Sequence, residues 1–280
     1  MNAFTYCLNT STLRGHGLSL VDELRIAAQT GYRGVEPWID ELDRYTADGG
    51  SLRDLRLQIA DLGLTVENGI GFFEWIVDDP KRRQAGLAEA RRNMKMLAQI
   101  GGTRLAAPPF GATEQSDLNL LQAAERYQTL LELGADTGVT PVLEVWGFSR
   151  SLCRLGEAAL VAIESGHPDA ALLLDVYHLY KGGSGFSGLK YIRGSAISIF
   201  HVNDYPGGYA ATAITDADRV YPGDGIAPLG QLVRTLNEIG YAGVLSLELF
   251  NKDYYTRDPR VVARTGLDKM RAAFEGGSGS

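Results

Sequence analysis

Cysteine is nearly missing from this chain. Cys7 and Cys153 are the only two in 280 residues, and neither has a neighbour at a zinc-finger or redox spacing. That argues against a disulfide scaffold and a thiolate metal site, and it leads us to expect the reducing cytoplasm. Long runs of Lys or Arg are also missing, and the net charge is −7. Nucleic acid and anionic membrane both require a basic patch, so neither is expected as a partner. No apolar run reaches the roughly eighteen residues of a membrane span. The start, MNAFTYCLNT, lacks the basic-then-apolar pattern of a signal peptide. The last five residues, GGSGS (276–280), read as a flexible tail, which leaves residues 1–275 as one domain.

What is present is the composition of an ordinary globular protein, 45% hydrophobic and 22% charged. Short apolar runs alternate with amphipathic stretches throughout. Candidate strands are 4–10, 34–39, 64–72, 103–110, 140–147, 170–178, 197–204 and 243–250. The helical stretches between them carry helix punctuation. LSLVDELRIAAQTG and SLRDLRLQIADLG stop at glycine, and the stretch from Asp117 to Gly138 starts at a possible Asp cap and ends in glycine. The joins TGYRGVE, DLGLTVE and EIGYAGVLSLE are near repeats of one another. Eight strands spaced at about 35 residues fit a single (β/α)8 TIM barrel better than a doubly wound sheet.

Strands covered on both faces should be continuously apolar. Four of these break that pattern near their C-terminal ends, with Glu144 in TPVLEVW, Asp175 in AALLLDVYH, His201 in ISIFHVND and Glu248 in GVLSLELF. One such residue is an ordinary buried polar group. Four at equivalent strand positions suggest one site where the ends converge, and three carboxylates with one imidazole suit a hard or borderline divalent ion. Mn²⁺ is the first expectation, with Mg²⁺ or Co²⁺ as alternatives. His178, just past the sixth strand, Arg219 in the long seventh loop and Glu36 at the end of the second strand are candidate substrate contacts. For each, a structural role (a loop hydrogen bond or an ion pair) stands beside the functional one. Asp204, three residues after His201, is a candidate to orient that imidazole.

The segments LEVWG, LLLDVYHLYKGG, FHVNDY, RVYPGDG and LELF resemble the xylose-isomerase-like family of sugar isomerases and epimerases, which also includes inosose dehydratases. The resemblance runs from the first strand to the last helix. It implies that Glu144, Asp175, His201 and Glu248 hold a divalent metal, that His178 contacts substrate, and that Glu144 and Glu248 serve as acid and base. The expected activity is isomerisation or epimerisation of a sugar or keto sugar, by proton abstraction beside a carbonyl through a stabilised enediolate. A lyase or dehydratase acting on a keto sugar, inosose or 3-keto-glycoside is the alternative, and a non-catalytic sugar-binding barrel the minor one. By the same resemblance the partners are a small carbohydrate and a second copy in a dimer or tetramer.

Overall fold

The computed structural model describes residues 4–275, so the tail at 276–280 and the first three residues lie outside it. Eight parallel strands run in the order β3-β2-β1-β8-β7-β6-β5-β4. They are β1 (Thr5–Asn9), β2 (Gly34–Glu36), β3 (Thr65–Val66), β4 (Arg104–Ala107), β5 (Thr140–Glu144), β6 (Leu172–Asp175), β7 (Ile197–Val202) and β8 (Val244–Leu247). The remaining gap, between β3 and β4, is closed by a parallel bridge from Gly69 to Leu105. The sheet is therefore a closed TIM barrel, and no edge is left unpaired.

Nine α-helices surround it among the described residues: α1 (Leu20–Thr30), α2 (Ile39–Ala47), α3 (Leu52–Asp61), α4 (Pro80–Gln99), α5 (Leu120–Thr137), α6 (Leu155–Glu164), α7 (Val176–Lys181), α8 (Leu229–Glu238) and α9 (Pro259–Glu275). Their caps satisfy the first free backbone N–H groups. Ser19 accepts from Asp22 N, Ser51 from Asp54 N and Asp79 from Lys81 N and Arg82 N. The cap of α5 is Asn119 rather than Asp117, and that helix ends on Gly138 at φ 73°, the left-handed conformation that glycine adopts without strain.

Two apolar clusters divide the core. The larger lies between strands and helices. The smaller fills the barrel with Cys7, Ile70, Ala106, Val142, Leu173, Ile199 and Val244. Successive side chains of a strand point to opposite faces, so the residue two positions beyond each of these plugs also points inward. That rule carries Asn9, Glu144, Asp175, His201 and Ser246 to the upper layer of the barrel, and Glu248 follows Ser246. The register holds them level, pairing Asp175 with His201 and His201 with Ser246.

All eight strands form where expected, but they are shorter. The run 64–72 gives Thr65–Val66 and two isolated bridges, at Gly69 and Ile70. The run 170–178 ends at Asp175, because that carboxylate accepts from His178 N at 2.9 Å and starts α7. One carboxylate thus ends a strand, caps a helix and faces the site.

Candidate metal centre and active site

Asp175, His201 and Glu248 each offer a ligand atom within 4.8 Å of the other two, and all three are buried. His201 Nδ1 lies 3.1 Å from Glu248 Oε2 and 3.8 Å from Asp175 Oδ2. Asp175 is too far for a hydrogen bond, so this buried nitrogen is held by its ion pair with Glu248 and makes no well-aligned hydrogen bond. The opposite ring nitrogen, Nε2, lies 3.1 Å from Glu36. An imidazole anchored on one side by a carboxylate and turning its other nitrogen to two carboxylate oxygens has the form of a metal ligand with its orienting partner. The charge count agrees. The carboxyls of Glu36, Glu144, Asp175 and Glu248 surround one guanidinium, Arg219, and one imidazole, all of them buried. Buried charge of one sign in excess is costly, and a divalent ion would relieve it. The residues present fit such an ion.

Glu144 does not belong to that group of three. It is 4% exposed and lines one cavity, of about 220 Å³, together with Glu248, His178, Arg219 and Trp146. Burial, with the charges of Glu248 and Asp175, pushes its carboxyl up to about 8, against the opposing pull of His201 and a hydrogen bond from Trp146. Glu248 and Glu36 move the other way. Burial alone would raise them, but the His201 charge, joined by Arg219 at Glu248, holds both below the usual carboxylate value. Burial lowers His201, yet Glu248 and Glu36 together drive it well above the usual imidazole range. His178 is depressed to about 3 by burial, with Arg219 helping and Asp175 opposing, so it is neutral.

Two expected roles change in the fold, those of Glu36 and Asp204, and a third residue, Arg219, is already engaged by its neighbours. Glu36 is completely buried and absent from the cavity wall. Its oxygens are taken by His201, by Asn68 Nδ2 at 2.8 Å, by Asn9 Nδ2 at 3.4 Å and by the Ser246 hydroxyl. It positions His201 from below and has no face left for substrate. Asp204 does not reach His201. Its carboxylate accepts from Tyr205 N, Gly223 N and Ala227 N, which clamps the two ends of the long seventh loop together. Arg219 lines the cavity but is already engaged. Its Nη1 donates to Glu248 Oε2 at 2.7 Å and Asp175 Oδ2 at 3.0 Å, and its Nη2 to Asp216 at 2.5 Å. The guanidinium is sandwiched by Tyr177 at 4.3 Å and Phe250 at 5.1 Å.

Asn9, Asn203 and Trp38 belong to the site, and the sequence reading gave none of them a polar role in it. Asn9 donates to Glu248 at 3.2 Å and accepts from Trp38 Nε1 at 2.8 Å. Asn203 donates to both oxygens of Asp175 and accepts from Tyr177 N. The available signal was an amide at the end of an otherwise apolar run, in FTYCLNT and FHVND, the same break that revealed the acids. A larger cavity of about 850 Å³ opens on the outside of the barrel between α1 and α2. It holds none of the site residues described above.

A closed eight-stranded α/β barrel with a carboxylate and imidazole cluster at its C-terminal mouth defines a TIM-barrel protein with a buried set of side chains suited to a divalent cation. The chain belongs to the xylose isomerase-like TIM barrel family, which matches residues 24–273. It is 30% identical over 262 residues to an inosose isomerase of Bacillus subtilis (strain 168), covering 89% of this chain and 90% of that one. A 3-dehydroshikimate dehydratase of Pseudomonas putida is 25% identical over 256 residues, which is 90% of this chain and 39% of that protein. Among solved structures, the IOLI protein with a binding zinc atom superposes with a TM-score of 0.90 at 22% identity, covering 99% of this chain and all of that one. At that identity it bears on the fold alone. No helix among the described residues is long and apolar enough to cross a membrane.

Proposed function

We propose that the protein is a divalent-metal-dependent isomerase or epimerase of a keto sugar or inosose, acting by proton transfer beside the carbonyl. The observation that carries the reading is the sharing of one cavity by Glu144, held near 8, and Glu248, held low. Two carboxyls with separated proton affinities in one pocket suit an acid and a base working at neutral pH. Asp175, His201 and Glu248 hold the ion, with Glu144 joining as a fourth ligand when ionised. The oxygen-rich set favours Mn²⁺, with Mg²⁺ or Co²⁺ able to substitute. When bound, the ion polarises the substrate carbonyl and offsets the charge that develops on it.

The rest falls to side chains. Glu248, held ionised, takes the proton from the carbon beside the carbonyl, and Glu144, protonated at neutral pH, supplies one on the other side of the substrate. Gly147 N–H donates to His178 Nδ1 at 3.2 Å, which puts the ring proton on Nε2. That nitrogen faces Arg219 Nη2 at 3.2 Å, donor against donor. A substrate oxygen entering between them would accept from both, which gives His178 and Arg219 a joint role in holding a hydroxyl. Expulsion of a β-oxygen after the same proton abstraction would make the enzyme a dehydratase, a reading supported by the relative of that name. We place the enzyme in the cytoplasm as a homo-oligomer.

Incubation of the metal-loaded protein with an inosose and a panel of ketoses in D₂O, followed by proton NMR, tests the proposal. Deuterium beside the carbonyl together with a new isomer is expected, and Glu144→Gln should abolish the isomer. An enone without an isomer selects the dehydratase. No exchange from any substrate would overturn the proposal.

A further inference from the structure

The cavity is polar at one end only. Glu144, His178, Asp216, Arg219 and Glu248 gather at the base, while the remaining wall is Ile70 and aromatic rings, without a Ser, Thr, Asn, Gln or Lys. Rings continue outward beyond it. Phe72 contacts Trp38 at 5.5 Å and Trp146 at 5.6 Å, and lies nearly parallel to Phe110, 18° apart with centroids at 5.4 Å. On the other side Phe148 lies 5.0 Å from Trp146 and 5.8 Å from His178. Phe72, Phe110 and Phe148 are 38%, 36% and 43% exposed, and they are the only exposed phenylalanines among the described residues. Large exposed apolar groups scattered singly need no explanation, but a contiguous patch at the mouth of a site does.

A bare polyol does not account for this wall. An inosose carries an oxygen on every carbon, and beyond the base the wall has nothing to bond to them. A second sugar lying on the Trp146 and Phe148 side would meet the same shortage, because the polar groups that flank the cavity, Arg14, Asp40, Asp43 and Asn93, line a neighbouring pocket on its Trp38 side. We propose that the substrate carries an aromatic ring, which lies on the Phe72, Trp146 and Phe148 surface while the keto-polyol part occupies the charged base. This inference rests on the reaction proposed above and names the substrate class: an aryl-substituted keto sugar, such as an aryl 3-keto-glycoside. A flat ring gains both apolar burial and ring-on-ring contact there. Its oxygen-rich partner takes up the hydrogen-bonding groups at the other end.

The test uses three substrates with the metal-loaded protein: phenyl 3-keto-β-D-glucoside, its methyl counterpart and an inosose. Exchange of the C–H beside the carbonyl is read in D₂O. We expect kcat/KM for phenyl to exceed methyl by about tenfold, since ring stacking and burial are worth roughly that factor. Phe148→Ala and Phe72→Ala should each pull the phenyl-to-methyl ratio toward one. Equal rates for the two glucosides, or a ratio that ignores both substitutions, would overturn the inference and leave the reaction standing. Absence of exchange with all three would overturn the reaction instead. The ring is then judged by binding of the same pair to the Glu144→Gln protein, followed by tryptophan fluorescence, where equal Kd values refute it. Sedimentation of Phe110→Glu covers the remaining occupant. Loss of a dimer in that variant would assign the rings to a second copy of the chain and also refute the aryl group.

Discussion

Replacing Glu144 by Gln should make the metal-free protein more stable while removing its activity, and the gain should grow with pH. The carboxyl is buried and held at about 8, against 4.5 for the ordinary group. Below pH 4.5 it is protonated in both the folded and the unfolded chain and costs nothing. Above 4.5 the unfolded chain gains by ionising while the folded chain cannot, so stability is lost steadily until pH passes 8. At about 1.4 kcal/mol per unit, the loss is roughly 1 kcal/mol near pH 5, 3 near pH 7 and 4 near pH 8. Gln has nearly the same shape and never ionises, so it escapes the whole penalty. A protein of this size shifts by about 2 °C in Tm per kcal/mol, so the variant should melt about 8 °C higher near pH 8 and only about 2 °C higher near pH 5. Glu23, held near 9 by burial and by Glu41, is present in both proteins and cancels in the difference. The assay is thermal melting in chelator at both pH values. A variant that melts lower than the parent, or higher by the same margin at both, refutes the claim that Glu144 is a strained buried acid.

Metal binding near neutral pH should release about one proton per ion through His201, which is held well above its usual value without metal and must be neutral to ligate, and a second where Glu144, held near 8, joins the ligands. Titration calorimetry in two buffers of different ionisation enthalpy measures that number, and a value near zero removes His201 from the ligand set. Around neutral pH metal affinity should rise by at least about tenfold per pH unit. Asp175→Asn removes a ligand charge and should weaken metal binding by at least about 100-fold, read by competition with a chromogenic chelator; unchanged affinity would show that the ion sits elsewhere. Gly182→Ala places a methyl group against the Cys153 carbonyl and close to that of His178. Backbone must give way there, and a loss of about 1–3 kcal/mol is expected as a lower Tm; a variant that melts like the parent would mean the close approach is relaxed in solution.

Much of the site was legible before any coordinates, for one reason: an apolar strand of period two reports which residues face inward. Val142 marks the direction of Glu144, Leu173 that of Asp175, Ile199 that of His201 and Val244 that of Ser246. A polar residue two places past a plug therefore had to lie at the top of the barrel. The strand ends were less legible. Asp175 looked like mid-strand because YH continues the apolar run, but its carboxylate prefers to cap α7. Asn9 and Asn203 carry the same signature as the acids, but an amide that ends an apolar run does not by itself point to a charged site.

Sequence alone determined the number of strands, the alternation with helices and the inward direction of Glu144, Asp175, His201 and Glu248, because these follow from local periodicity and from the absence of any other way to bury such runs. Tertiary structure decided which of them meet. Asp175, His201 and Glu248 converge while Glu144 stands apart, because the distance between strand ends depends on barrel closure and register rather than on spacing in the chain. It also decided the fate of Glu36 and Arg219. Glu36 lies 165 residues from its partner His201, and Arg219 lies 44 from Asp175. Contacts at that separation depend on the path of the loops and on competition for the few buried cations, and no periodic pattern records either.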